Sequence, residues 1–404
     1  MNELPAALPA GGFLYLSFMF FFLFLLLAGL TLIYFNVSAV APGRKGKLAA
    51  LIVLVLIFAG MSFRGTVAGS IAISFFSVWL CQALLLYIPW GLFRAVRRVV
   101  LRRAMPVRTV TLVSRWLLVA TVAITLSLIV YGVPHNARYV LRETTVELPA
   151  AGDSVSEPPA VVEPPAGFTV VFFSDIHVDP LFNRAKLERM IADVDSIAPD
   201  YLLFGGDLAD VPMETLDEWG YDSLFKKLTA GAKIAAVAVN GNHEGMQERG
   251  GSNPGDWMSK VGFVFLDDAT ACIGLACFTG RTDFQVARGR SMERRPLQEL
   301  VPVEKGDSGM VKRRLPWILL DHQPKGIEEG YSGRLPDFAF SGHTHNGQFF
   351  PGNFVINFVW RLAYGEGVLD GVRWLVSAGV DCWGPPVRVG TDADMWVVHF
   401  KNAK

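Results

Sequence analysis

The chain has 404 residues, of which 51% are hydrophobic and 18% charged, and its formal net charge is zero. That balance hides an asymmetry: residues 1–150 hold thirteen Lys and Arg against three Asp and Glu, and the remainder is acidic by the same margin. A basic, apolar part joined to an ordinary acidic part excludes a purely soluble enzyme, a disordered chain and a nucleic-acid binder built on a basic domain.

Four uncharged apolar stretches approach the roughly 20 residues that cross a bilayer. They lie at about 13–35, 48–63, 67–93 and 116–134. The first lacks a positive n-region and outruns a usual signal-peptide core, which favours a retained helix over a cleaved leader. The second is short, but Lys47 and Arg64 at its ends can snorkel to the interfaces. Arg44, Lys45 and Lys47 follow the first stretch and seven arginines, Arg94 to Arg115, follow the third; only Arg64 follows the second. The imbalance predicts cytoplasmic basic loops, with both termini outside and, in a bacterium, everything after Val133 on the periplasmic or extracellular side of the cell membrane. The seven arginines could also hold anionic lipid head groups, although a topology signal is the simpler reading. No stretch holds an internal ionisable residue, so residues 1–135 are expected to be an anchor, not the ion path of a transporter.

Residues 136–404 are the second predicted domain. Tyr139–Leu148 is rich in strand formers, and a Pro-rich loop is expected at 149–167. Apolar runs then predict buried strands at Phe168–Ser174, Tyr201–Phe204, Ile234–Val239, Trp317–Leu320 and Phe338–Phe340. Leu187, Ile191 and Val194 recur at helical spacing, and Thr215–Leu228 is expected to be one helix. Each of the five strands runs into metal-competent residues: Asp175 and His177, Asp207, Asn242 to Glu244, Asp321 and His322, and His343 and His345. Ligand sites in α/β sheets form at the carboxyl ends of strands, so the five ends predict one site. An Asp-x-His pair where a strand ends and the chain turns can aim both side chains at one ion. A lone carboxylate, Asp207, suits a bridge between two ions, and Asn242 offers a neutral carbonyl oxygen. Imidazole mixed with carboxylate favours Mn, Fe or Zn over Mg or Ca. Two such ions activate water and clamp phosphoryl oxygens.

The ordered blocks Ser-Asp-Ile-His at 174–177, Gly-Gly-Asp at 205–207, Gly-Asn-His-Glu at 241–244, Asp-His-Gln-Pro at 321–324 and Gly-His-Thr-His at 342–345 carry a family resemblance. Over about residues 139–400 the chain resembles the calcineurin-like metallophosphoesterases, most closely their bacterial membrane-associated branch. The resemblance implies an α/β (α+β) four-layer fold, two packed β-sheets flanked by helices, here preceded by an all-α transmembrane region of four helices. It implies one divalent ion on Asp175, His177, Asp207 and His345, and a second on Asp207, Asn242, His322 and His343. His243 matches the family's non-ligand histidine, which contacts the phosphate and protonates the leaving oxygen; Asn242 and Asp207 join it as catalytic residues. Glu244 stands where the family often has Asp, and Asn346 where the branch often has Gly. The implied activity is hydrolysis of phosphomono- or phosphodiesters by a hydroxide bridging two divalent metal ions. The alternative is a non-catalytic metal-binding membrane sensor or interaction protein, against which the complete ligand set argues.

Four further features carry competing readings. The aromatic run from Phe349 to Leu362 is either a packed core element or a hydrophobic lip that takes a lipid phosphoester from the bilayer. Cys272 and Cys277 either pair across a tight hairpin or stay as two buried thiols. Arg281, Arg288, Arg290, Arg294 and Arg295 form a solvated loop or an anionic head-group site, the loop being favoured. His135 and His399 fall outside every block and are expected to be structural or surface residues.

Overall fold

The computed structural model describes residues 27, 29–41, 43–62, 66–148, 167–302 and 315–402. The chain divides into two compact units between Val130 and Tyr131. The first holds α1 (Gly29–Ser38), α2 (Arg44–Ser62), α3 (Val67–Val99) and most of α4 (Val107–Asn136). Among the described residues two helices, α3 and α4, are long and apolar enough to cross a membrane, where four spans are expected from the sequence. The first expected span lies mostly outside the described residues, and the second falls on α2. Helix α3 runs past its apolar stretch to take in Arg94, Arg97 and Arg98, and α4 begins early enough to include Arg108 and Arg115. Hydropathy marks the thickness of a bilayer, whereas a helix continues until its backbone is capped or broken. Within this unit Ile33, Val37, Ala50, Ala83 and Tyr87 are buried, and the buried Trp79 donates its indole N–H to Thr121 Oγ1 at 3.0 Å.

The second unit is built on twelve strands among the described residues. In chain order they are β1 (Tyr139–Leu148), β2 (Phe168–Phe173), β3 (Tyr201–Phe204), β4 (Ala235–Ala238), β5 (Phe263–Phe265), β6 (Ala269–Ile273), β7 (Ala276–Gly280), β8 (Trp317–Leu320), β9 (Phe338–Ser341), β10 (Gly365–Leu369), β11 (Val372–Val376) and β12 (Ala393–Asn402). They form two six-stranded mixed sheets, ordered β1-β12-β2-β3-β4-β5 and β10-β11-β9-β8-β7-β6. Strands β2 to β5 are parallel in the first sheet, and β7, β8, β9 and β11 in the second. The predicted loop at 149–167 lies, but for Gly167, outside the described residues.

The alternation of side chains along a strand assigns the layers. Val170 and Phe172 on β2 point into a core shared with Phe278, Ile318, Leu320, Phe338 and Phe340 of the other sheet. Val171 and Phe173 point the opposite way, onto helices α5 (Arg184–Ile197), α7 (Tyr221–Ala230) and α9 (Pro254–Lys260) through Leu187, Val194, Phe225, Leu228 and Trp257. The outer face of the second sheet buries Trp317, Leu319, Trp374 and Val376 beneath a 3-10 turn at Leu297–Leu300. Both sheets are therefore apolar on two faces, which is why their strands appear as unbroken apolar runs.

The helix expected over Thr215–Leu228 is two: α6 (Met213–Glu218) and α7, broken at Gly220, whose φ of +71° leaves the helical region. The aromatic run is not core. It forms α11 (Gly352–Val359), a helix with no buried residue, on which Phe354 is 63% and Phe358 90% exposed. The structure pairs Cys272 with Cys277 across the β6–β7 hairpin. The arginine stretch is partly organised: it contains α10 (Phe284–Gly289), Arg281 is buried against Asp268 and Glu328, and Arg290 pairs with Glu248 and Asp267, while Arg288, Arg290 and Arg295 remain exposed as a solvated loop would have them. His135 meets Thr391 O and Asp392, and His399 meets Glu143 and Thr169.

Candidate metal centre

The carboxyl ends of β2, β3, β4, β8 and β9 deliver Asp175 and His177, Asp207, Asn242, His322, and His343 and His345 to one place. The backbone there is costly. Asp175, His177, Asp207, His343 and His345 all have positive φ, between 47° and 71°. A residue other than glycine loses about 1–3 kcal/mol in that region, so the surroundings must hold it. They do so by backbone pairing: Asp175 N–H donates to Gly206 O at 2.9 Å, Ile176 N–H to Asp207 O at 2.9 Å, and Asp381 N–H to Asp175 O at 3.0 Å. Two neighbours have to be glycine. A Cβ on Gly241 would lie 2.3 Å from Asp207 Oδ1, and one on Gly342 would lie 2.2 Å from Asp175 Oδ2.

The side chains gather into two groups with a shared edge. Asp175, His177 and His345 form one, and Asp207, His322 and His343 the other; within each, one donor atom per residue lies within 4.8 Å of the rest. His345 Nε2 is 3.4 Å from Asp175 Oδ1 and 3.2 Å from His177 Nε2. His322 Nε2 is 3.1 Å from Asp207 Oδ2 and 3.3 Å from His343 Nδ1. Asp207 Oδ2 also lies 3.6 Å from His177 Nε2, so this one oxygen touches both groups. The far nitrogens are fixed from behind: His322 Nδ1 lies 2.7 Å from Gly205 O, and His345 Nδ1 3.2 Å from Asp381 O. On the neutral His345 ring that leaves Nε2 as a lone pair directed inward, whereas burial of His322 is outweighed by Asp207, Asp175 and Asp283, which lift that ring well above its ordinary range.

Charge follows from the same geometry. Burial, reinforced by the neighbouring His322, pushes the His343 imidazole down to about 3. Burial together with His177 and Arg388 holds His345 well below the ordinary range, so both rings are neutral. Burial opposes charge on His177, but Asp210, Asp207 and Asp175 outweigh it and lift that ring to about 9. Burial likewise opposes charge on Asp207, yet His322, His243 and His177 keep its carboxylate ionised.

These residues fit divalent cations. Imidazoles, of which those of His343 and His345 are already neutral, form a transition-metal donor set with carboxylates and an amide oxygen. Asn242 Oδ1 is buried and has no hydrogen-bond partner among the described residues, which a cation beside it would supply.

Two residues escaped the sequence reading. Asp210 Oδ1 lies 3.1 Å from His177 Nδ1 and 2.5 Å from His243 Nδ1, joining a ligand histidine to the expected acid. Its spacing of three from Asp207 was the only available signal. Burial works against charge on His243, but Asp207 and Asp210 raise it, favouring the imidazolium. Arg388, wholly buried, donates to the carbonyls of His345, Ala378, Gly379, Asp381 and Asp392 and so braces the loop behind His345.

Glu244, the departure from the family pattern, accepts three backbone N–H groups: Asp207 at 3.0 Å, Leu208 at 2.7 Å and Gly241 at 2.5 Å. It ties the β3 loop to the start of α8 (Asn242–Arg249). Glu244→Gln turns an NH₂ group toward at least one of those donors. It should destabilise the protein by about 2–3 kcal/mol, the cost of a buried charge-assisted bond left unmade, read as a lowered denaturation midpoint.

Residues 168–347 match the family model described as calcineurin-like phosphoesterase. The chain is 28% identical to a transmembrane protein with metallophosphoesterase domain from Danio rerio, over 70% of this chain and 63% of that protein. It is 28% identical to an uncharacterized metallophosphoesterase of Helicobacter pylori, strain J99, over 54% of this chain and 56% of the relative. An uncharacterized metallophosphoesterase of Aquifex aeolicus is also 28% identical, over 57% of this chain and 83% of the relative. The chain thus spans little more than half the length of the Helicobacter relative and under two thirds of the Danio one. With its five strand-end blocks gathered at one centre, the segment 168–347 carries the calcineurin-like phosphoesterase domain that the family model describes.

Proposed function

We propose that this protein is a membrane-anchored, binuclear metal-dependent phosphoesterase, with residues 1–135 as the anchor and 136–404 as the hydrolase. The observation that carries it is the pair of buried groups, Asp175 with His177 and His345 and Asp207 with His322 and His343, accompanied by an Asn242 Oδ1 that is buried without a hydrogen-bond partner among the described residues. Asp175, His177, Asp207 and His345 would hold one ion, and Asp207, Asn242, His322 and His343 the other. Mn, Fe or Zn bound there supplies activated water at neutral pH and positive charge for phosphoryl oxygens. The rest is done by the chain. Asp207 shares its carboxylate between the two groups. Asp210 grips His243 at Nδ1, which leaves a proton at Nε2 for the departing alkoxide. Asn242 adds its amide dipole where negative charge develops.

Two apolar helices, and relatives named as transmembrane proteins, support the anchor. The full four-span arrangement, with the basic segments cytoplasmic and the hydrolase outside, rests on the Lys and Arg imbalance. The Cys272–Cys277 pair agrees with an oxidising compartment. A lipid phosphoester as substrate is favoured by α11: Phe350, Phe354, Val355, Phe358 and Val359 are all exposed, and Trp360 just beyond stands edge-on to His343 at 5.3 Å.

The test is a panel of phosphomonoesters, phosphodiesters and phospholipids, run after chelator stripping and reloading with Mn, Zn or Mg. Hydrolysis should vanish on stripping and return with a transition metal, with lipid-like esters cleaved about 15- to 60-fold faster than short-chain ones, the scale set by burying two or three methylenes at about 0.8 kcal/mol each. Turnover that survives complete stripping would end the metal reading. Equal rates on short and long chains would end the lipid one.

A further inference from the structure

Beyond His322 the chain continues through Gln323 and Pro324 to Lys325, whose ammonium lies 3.6 Å from the ring centroid of Phe284. The guanidinium carbon of Arg294 is 4.0 Å from the same centroid. Phe284 opens α10 and is 37% exposed. This aromatic platform is pinned to the metal centre from both sides. Asp283, the residue before it, accepts from Gln323 Nε2 at 2.6 Å, and its N–H donates to Asn240 Oδ1 at 2.6 Å. Gln323 adjoins His322, and Asn240 lies two residues before Asn242.

The two cations are unequally matched. Arg294 Nη2 pairs with Asp321 Oδ2 at 2.6 Å, but its Nε is buried without a hydrogen-bond partner among the described residues, on a side chain only 9% exposed. Lys325 makes no ion pair within 4 Å among the described residues; its charge meets the face of the ring, which satisfies a cation partly, and feels the carboxylates of Asp283 and Asp321 from farther away. An ammonium without a direct ion-pair partner and a guanidinium N–H without an acceptor among the described residues, both set against the Phe284 ring beside the His322–His343 group, form an anion site next to the place where a phosphoryl group would be cleaved.

We propose that Lys325 and Arg294 on Phe284 form a second anion subsite, and that the substrate is a diphosphate ester whose second phosphate sits there. The proposal rests on the phosphoesterase reading of the metal centre. Lysine serves as a point charge for the outer phosphate, and Arg294 Nε adds a fixed donor.

The probes are inorganic phosphate and inorganic pyrophosphate, titrated calorimetrically into the full chain in detergent, loaded with Mn and freed of unbound metal. The wild-type protein should bind pyrophosphate more tightly than phosphate. Lys325→Ala should weaken pyrophosphate about tenfold more than phosphate, the scale of one charge-assisted bond, and Lys325→Arg should restore most of the difference. A preference that survives Lys325→Ala, or an equal loss for both anions, would overturn the subsite and show that Lys325 merely packs its stem on Phe284. Hydrolysis of p-nitrophenyl phosphate by the wild-type protein separates the two claims. If it persists while the preference ignores Lys325, the phosphoesterase stands without the subsite. If the wild-type protein neither binds phosphate nor hydrolyses that ester, both fail.

Discussion

Asp207→Asn should cost at least about a hundredfold in metal-dependent turnover while leaving the fold intact. The substitution is isosteric, and an amide oxygen can still accept the His243 N–H that Asp207 Oδ1 now accepts at 2.8 Å. The NH₂ group then takes the place of Oδ2, which lies 3.1 Å from His322 Nε2 and 3.6 Å from His177 Nε2. An NH₂ cannot donate electrons to a cation, so the atom shared by both groups is lost. Replacing a supporting partner of a metal ligand costs about 10–100-fold, which sets a lower bound for losing the shared ligand itself. Metal content by elemental analysis and turnover with a soluble ester should fall together, while the circular dichroism spectrum stays unchanged. Turnover equal to the wild type would remove Asp207, and the two-ion arrangement, from the mechanism.

Stripping the metal should expose a stability maximum near pH 6.5. His177 is raised from 6.5 to about 9, so its contribution is complete below pH 6.5 and is lost as the pH climbs through 9. At about 1.4 kcal/mol per tenfold change in proton affinity, that loss amounts to about 3 kcal/mol. His343 works in the opposite sense: depressed from 6.5 to about 3, it contributes above pH 6.5 and loses that contribution as the pH falls. The stripped protein should therefore melt at lower temperature on both sides of neutrality. The metal-loaded protein should lack the alkaline decline, because a cation replaces the proton on His177. Thermal midpoints from pH 5 to 9, with and without chelator, measure the difference. Parallel profiles would mean that no ion occupies the His177 group.

Most of the strand layer was legible because β2, β3, β8 and β9 are buried on both faces and leave uninterrupted apolar runs. The candidate ligands were legible for a related reason: each directly follows such a run. What escaped was whatever depends on partners distant in sequence. Arg388 acts on five backbone carbonyls, and a carbonyl has no signature in a sequence. Asp210 looks like any carboxylate in a polar loop until His177 and His243 are brought against it. Helix α11 misled in the other direction, since a run so apolar is normally core and here stands exposed. Gly220 was readable as a helix breaker and was passed over because the flanking apolar spacing continues across it.

The position of β12 between β1 and β2 has a consequence for biogenesis. β1 pairs in parallel with β12 along all ten residues, from Tyr139 with Ala393 to Leu148 with Asn402, and has no other neighbour in the sheet among the described residues. During synthesis β1, the first of the described strands, waits for β12, the last of them, as its partner. Chain emergence and domain completion are thereby coupled end to end, so a ribosome that stops before residue 393 releases a product with an open, apolar sheet edge, the kind of surface that quality-control proteases and chaperones engage.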